Sequence, residues 1–198
     1  MQSGADRRRA RHEETARLIL QAAWRLAERD GLAGLSLGEL ARAMEMRPQS
    51  LYTYFPSKQA IYDAMYKQGF EQLLARNEAL PAHGDPTSFL AATAEAFVDF
   101  AAERPSRYQL LFQRTVPGFV PSEESYAVAK RALEGMRGWL AAAGITAERE
   151  LDLWRVLLLG LAGEQLANDP GGRRWRQLAG EAARYFVTFA RTKKGNQQ

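Results

Sequence analysis

Arg47, Gln49, Ser50, Tyr52, Thr53 and Tyr54 fall within a short stretch and supply a guanidinium, an amide, hydroxyls and phenols, with no carboxylate among them. Such a set has little acid–base chemistry to offer. It can read hydrogen-bonding edges: arginine matches the acceptors of guanine, glutamine the donor and acceptor of adenine. Hydroxyls reach phosphates or lie against thymine methyls, and phenols grip phosphate. A merely solvated helix more often presents lysine and glutamate. Leu51 and Phe55, four apart, place one apolar stripe among these polar residues. The segment from Pro48 to about Tyr54 is therefore expected to be a helix with one side buried, and proline suits its first turn.

The element that must hold this helix lies just upstream. Ser36 and Glu39 form an S-x-x-E capping box, in which the hydroxyl accepts from a helical N–H and the carboxylate reaches back to the Ser36 N–H. A short helix is expected to about Met44, with Leu37, Leu40, Ala41 and Met44 on one side. Glu45, Met46 and Arg47 make a tight connection. Residues 36–58 thus read as a helix-turn-helix. A longer helix from about Arg8 to Asp30, with Ile19, Ala22, Ala23 and Leu26 at helical spacing and Gly31 as its stop, supplies a third wall. Ahead of it, Arg7, Arg8, Arg9 and Arg11 form a basic arm that reaches a minor groove or backbone, or is a solvated tail.

Leu51-Tyr52-x-Tyr54-Phe55-x-Ser57-Lys58, followed by a long amphipathic helix from Gln59, resembles the DNA-binding domain of the tetracycline-repressor (TetR) family of bacterial regulators. Ala22-Ala23, Gly31 and Leu40-Ala41 also fall where that family places such residues. The resemblance covers about residues 12–70. The family's usual Gly-Val-Ser turn is Glu45-Met46-Arg47 here, and its small residue inside the recognition helix is Gln49. Beyond residue 80 the likeness is one of architecture.

Composition agrees. The chain has 198 residues, 46% of them hydrophobic, enough to bury a core. A net charge of +4 favours polyanionic partners. With no cysteine, disulfides, thiolate nucleophiles and cysteine zinc sites are excluded. No apolar run spans a bilayer and Glu13, Glu14 and Arg17 interrupt any export signal after the arginines, so a cytoplasmic protein without membrane contact is expected. His12 and His83 stand far apart, so no metal is expected. Glu123-Glu124 opens a helix and complements its dipole rather than forming a catalytic pair. No glycine loop cradles a phosphate, and no nucleophile stands beside a base; no cofactor, catalytic residue or enzymatic activity is expected.

The rest of the chain reads as helices, giving an all-α fold. Residues 1–57 are expected to form the helix-turn-helix domain with its arm, and 58–198 a helical effector-binding and dimerisation domain. Ser57 caps a helix running to about Leu80, carrying Tyr62, Met65, Tyr66 and Leu73. Asp85-Pro86 opens the next, with Phe89, Ala92, Ala96 and Phe100 inward; Pro105 opens a shorter one through Phe112. Ser122 starts another to near Gly144. Thr146 with Glu148 caps a helix to about Ala167, and Asn168 to Gly172 stop it. The last spans about Arg174 to Thr192, with Leu178, Ala182, Tyr185, Phe186 and Phe189 in register; Lys193 to Gln198 is expected to fray.

Leu151, Leu153, Trp154, Val156, Leu157, Leu158, Leu159 and Leu161 cover nearly the whole circumference of their helix, which predicts burial on all sides. Gly160, Gly163 and Ala167 offer a small-residue stripe, and Ala179, Ala182 and Ala183 a matching flat face. A homodimer through the last two helices follows, as the resemblance also implies; the other reading is the centre of a monomeric core. Phe97, Phe100, Tyr108, Phe112, Trp139 and Trp154 are either core or the lining of the apolar effector pocket that the resemblance implies. Glu164, Gln165 and Gln113 are polar groups that can orient a ligand there.

The expected function is that of a regulator of transcription, a repressor released from a palindromic operator by a small apolar ligand. Arg47 and Gln49 read base edges; Ser50 and Thr53 touch thymine methyls or phosphate; Tyr52, Tyr54, Lys58 and Ser36 hold phosphates. The helix from Lys58 is the lever joining reader and effector domain. The alternative is a DNA-binding or architectural protein of the same fold that needs no effector.

Overall fold

The structure, a computed structural model, describes residues 4–81 and 84–195, with side chains up to Thr192. His83 lies outside the described residues, as do 196–198 of the tail. Among those described there is no strand. In order, the helices are α1 (Gly4–Gly34), α2 (Leu37–Ala43), α3 (Pro48–Leu51), α4 (Lys58–Glu78), α5 (Pro86–Glu103), α6 (Pro105–Tyr108), α7 (Glu123–Ala142), α8 (Glu148–Asn168) and α9 (Arg174–Gly195), with a π-helical turn over Gln109–Gln113 after α6. The all-α expectation holds.

The helices fall into two compact units. One comprises 1–69 with 106–126, the other 70–105 with 127–198.

In the first unit α2 packs on α1 and α3 on α2. Ile19, Ala22, Ala23, Trp24 and Leu26 of α1 are buried at the expected spacing, with Leu40, Ala41 and Leu51. Gly31 interrupts α1 at φ 76°, a conformation open to glycine and costly to other residues. One further turn to Gly34 follows. Tyr62 of α4 donates its hydroxyl to the Leu32 carbonyl, tying α4 to that turn. Burial raises the Tyr62 pKa, so the phenol stays a neutral donor. Burial pushes the neighbouring Tyr66 up to about 12, with Tyr126 and Asp63 adding to the rise and Arg114 opposing it.

The second unit is built on α5, which packs against both α8 and α9. This corrects the expectation of an all-round buried α8. It is α5 that buries most of its circumference, from Leu90 and Ala91 through Thr93, Ala94, Phe97, Val98 and Phe100. Helix α8 buries Leu151, Trp154, Leu158, Leu161, Ala162 and Gln165 on one side, while Val156 on the other is 66% exposed. The expected register of α9 is corrected too. Ala179, Ala183, Val187 and Ala190 are its buried stripe, and Leu178, Tyr185 and Phe189 are exposed. Small residues win because α9 packs closely along α5, where Ala179 and Ala183 are fully buried. The flat alanine face is thus largely used within the chain. Arg176 seals the contact by pairing with Glu95 and Asp99 at 3.0 and 3.2 Å. Thr146 does not cap α8; Ala147 occupies that position with no side-chain bond.

Candidate nucleic-acid interface

The first reader element is α2. Ser36 is its N-cap, with the hydroxyl accepting from the Glu39 N–H at 3.5 Å. The reciprocal half of the capping box is replaced: the Glu39 carboxylate approaches Arg29 of α1 at 3.4 Å. An arginine within reach competes better for a carboxylate than a single amide does.

The turn after α2 explains the departure at Glu45. This residue is left-handed, at φ 52°. Met46 N–H bonds back to the Ala41 carbonyl at 3.0 Å and Glu45 N–H to that of Arg42 at 3.1 Å, the double closure of a Schellman end. Glycine suits this position best, which is why it is common there; glutamate holds the same geometry under strain.

Helix α3 is shorter than expected. Its helical residues end at Leu51, and Tyr52 to Tyr54 continue as turns, with Thr53 N–H bonding to the Ser50 carbonyl and Phe55 N–H to that of Leu51. Leu51 is 1% exposed and Phe55 is buried. Arg47, Gln49, Ser50, Tyr52 and Thr53 are exposed, and Tyr54 is half-buried. The structure therefore places five of the candidate DNA-contacting side chains in solvent on one short segment. Lys58, half-buried, donates to the Ala33 carbonyl at 3.3 Å and lies 5.5 Å over the Tyr62 ring. It neutralises the carbonyl end of α1 as well as standing at the start of α4. Sequence reasoning missed the contact made by His12: its ring stacks on Tyr54, centroids 4.5 Å apart and planes at 20°.

The candidate effector residues divide between the units. Tyr108 and Phe112 meet in the first, at 5.6 Å. In the second, Trp139 packs edge-on against Phe89 at 5.6 Å and Trp154 on Phe186 at 5.2 Å. Phe97, Phe100, Tyr108 and Trp154 are buried; Phe112 and Trp139 are half-buried. The Trp154 indole N–H is buried without an acceptor. Of the polar groups, Gln165 is committed elsewhere. It accepts from the Trp175 and Arg176 N–H groups at 3.1 Å each, and donates to the carbonyls of Asp169 and Gly172. Glu164 and Gln113 are exposed. A hollow of about 160 Å³ opens where Arg137, Leu140 and Ile145 face Glu148 and Leu151; none of the six aromatics lines it. Pockets that enclose drug-sized ligands measure roughly 300–1,000 Å³.

A capped helix, a turn through a left-handed residue and a second helix showing an amide, hydroxyls and a phenol to solvent together define a helix-turn-helix reader of duplex DNA. The family model for bacterial regulatory proteins of the tetR family matches residues 19–65, and that for the tetracyclin repressor-like C-terminal domain matches 90–168. The HTH-type transcriptional regulator YobS of Bacillus subtilis is 33% identical over 95 residues, 48% of this chain and 50% of that protein. The chain thus spans about half the length of this curated relative. A protein of unknown function from Rhodococcus sp. RHA1 superposes with a TM-score of 0.76 at 23% identity, over 89% of this chain and 95% of that one. A tetR-family regulator from Streptomyces coelicolor does so at 0.69 and 22%, over 88% and 79%. Two further structures of this fold hold small molecules: a TetR variant from Acinetobacter baumannii with minocycline, and a Bacillus subtilis regulator, FadR, with stearoyl-CoA. The chain belongs to the tetR family. It is a transcriptional regulator of that family with a DNA-binding helix-turn-helix domain. Among the described residues no helix is long and apolar enough to cross a membrane.

Proposed function

We propose that this regulator is a cytoplasmic, homodimeric repressor that leaves a palindromic operator when a small, largely apolar ligand enters the helical domain. Residues 1–57 read DNA, and 58–198 dimerise and bind the ligand. The observation that carries the operator reading is the exposed, almost uncharged face of Gln49, Ser50, Tyr52 and Thr53, held out by the buried Leu51. Arg47 and Gln49 take base edges; Ser36, Tyr52, Tyr54 and Lys58 hold phosphate. Selection of duplexes by the purified protein tests this directly and is expected to return an inverted repeat. Gln49→Ala is expected to relax preference at one position of each half-site, costing about 1–3 kcal/mol on the preferred base. Lys58→Ala is expected to weaken all sequences alike and lower the salt slope by about one unit. Reversal of these two patterns would exchange the assigned roles.

Support for the dimer comes from Val156, Leu178 and Tyr185 of α8 and α9, large side chains left exposed in the single chain. The protein is expected to sediment as a dimer at micromolar concentration. Val156→Glu with Tyr185→Glu, both at positions exposed in one chain, is expected to yield folded monomers with weakened operator binding, since two linked readers gain effective concentration. Wild-type protein that sediments as a monomer contradicts the assignment.

The effector reading rests on Phe97, Phe100, Trp139 and Trp154, all of the second unit; Tyr108 and Phe112 pair within the first. It is supported by the orphaned Trp154 N–H, which a ligand acceptor would satisfy, and by the two ligand-bound proteins of the same fold. Titrating apolar compounds into the operator complex separates this from an effector-independent factor: release by a ligand is expected, and a complex indifferent to all of them favours the alternative.

A further inference from the structure

From Gly4 to Leu18, α1 buries no side chain; Thr15 and Ala16 are half-buried and the rest exposed. A helix of that length with no buried face is marginal in water, yet it projects for about 20 Å. Two exposed ion pairs support it, Arg9 with Glu13 and Arg17 with Glu14, each at 2.8 Å through the arginine Nε. Pairs this exposed contribute little. A further support, and one that comes from outside the helix, is the stack of His12 on Tyr54, which fastens this stretch of α1 to the reader. Arg7, Arg8 and Arg11 have no carboxylate partner among the described residues; Arg8 makes only a 3.4 Å contact to the Gly4 carbonyl. At about 100° per residue, Arg8 lies about 40° from His12 and one turn closer to the N-terminus. Arg11 lies about 100° round from His12, and Arg7 about 140° away on the back of the helix. The helix is therefore left with one unneutralised guanidinium, Arg8, on the side that the stack aligns with the reader, and a second, Arg11, one turn on at the flank of that side.

Resting on the operator reading above, we propose that Gly4–Leu18 is a rigid second DNA contact: Arg8, with Arg11 beside it, grips backbone phosphates flanking each half-site, and His12 is the positioning residue that sets this rod against the reader through Tyr54. It replaces the flexible arm that the run of arginines suggested. Guanidinium suits the role because it matches phosphate oxygens in a bidentate fork. The polyanion supplies both the counter-charge and the ordering surface that the solvated helix lacks.

The test uses the full chain on the duplex it selects, reading phosphate-ethylation interference and the salt dependence of affinity. Arg8→Ala with Arg11→Ala is expected to erase interference at the flanking phosphates and lower the salt slope by about two units per subunit, with base preference unchanged. Arg7→Ala is expected to leave both as in wild type. His12→Ala introduces a better helix former, so loss of helix propensity cannot account for its effect. It is expected to erase the same flanking interference, and His12→Phe, which keeps a stacking ring, to restore it. Flanking interference that survives the Arg8/Arg11 change, or that Arg7→Ala removes equally, overturns the rod. Wild-type contacts in His12→Ala overturn the positioning role. A wild-type chain that selects no duplex sinks the operator reading and this inference together.

Discussion

Replacing Gln165 with leucine is expected to lower the unfolding midpoint by about 6–12 °C. The side chain is 1% exposed and spans the break between α8 and α9. Its carbonyl accepts two N–H groups of the first turn of α9, which no other part of that helix can satisfy. Its amide donates to the carbonyls of Asp169 and Gly172 in the intervening loop. Leucine fills the volume but leaves these groups unmet. Part-buried backbone groups left unsatisfied cost about 1–3 kcal/mol each. The two carbonyls each keep a second lone pair open to water, so counting only the two N–H groups at about 1.5 kcal/mol each, and about 2–4 °C per kcal/mol for a chain of this size, gives the stated shift. A thermal melt checks it, and faster hydrogen exchange at the Trp175 and Arg176 amides would localise it. If the midpoint does not move while ligand response is lost, Gln165 is an effector-orienting group after all, and the bonds across this break are not what holds α9 in place.

The reader was legible in the sequence because its signals are local. A serine N-cap, a proline at a first turn and two apolar residues four apart act within a few residues of each other, and the structure keeps all three. Thr146 failed as a cap because the preference for a hydroxyl is weak enough for the chain to start α8 one residue later, at Ala147. The errors in the helical domain have another cause. Leu178, Phe186 and Phe189 are larger and more apolar than alanine, and with Tyr185 in register they resemble the inner face of α9. Which stripe is buried depends on how near the next helix comes, and α5 comes near enough to require Ala179 and Ala183. Likewise α8 is apolar nearly all round in sequence, yet within the chain only one of its sides is buried and Val156 on the other is exposed. Periodicity alone does not say which apolar helix is central, and here it is α5, packed against both α8 and α9. The His12–Tyr54 stack joins residues 42 apart (Tyr54 minus His12) and has no signature in either segment.

Leu51→Ala is expected to abolish operator binding and to loosen the first unit at the same time. Leu51 is the only buried side chain of α3, and both Tyr54 and Phe55 N–H groups close on its carbonyl. A helix this short has almost no stability of its own, so the reader's place depends on this one anchor and on Phe55 behind it. Truncation of a buried leucine costs about 2–5 kcal/mol, a large share of what a small domain holds in reserve. Thermal melts and amide exchange over residues 19–65 would read the loss, and binding to the selected duplex would fall with it. Tyr52→Ala separates packing from reading: Tyr52 is 51% exposed, so its loss should weaken DNA binding while the melt stays put. If Leu51→Ala melts like wild type and still binds, the side chain is not an anchor. The exposed face of Gln49, Ser50, Tyr52 and Thr53 would then owe its orientation to something other than the buried stripe.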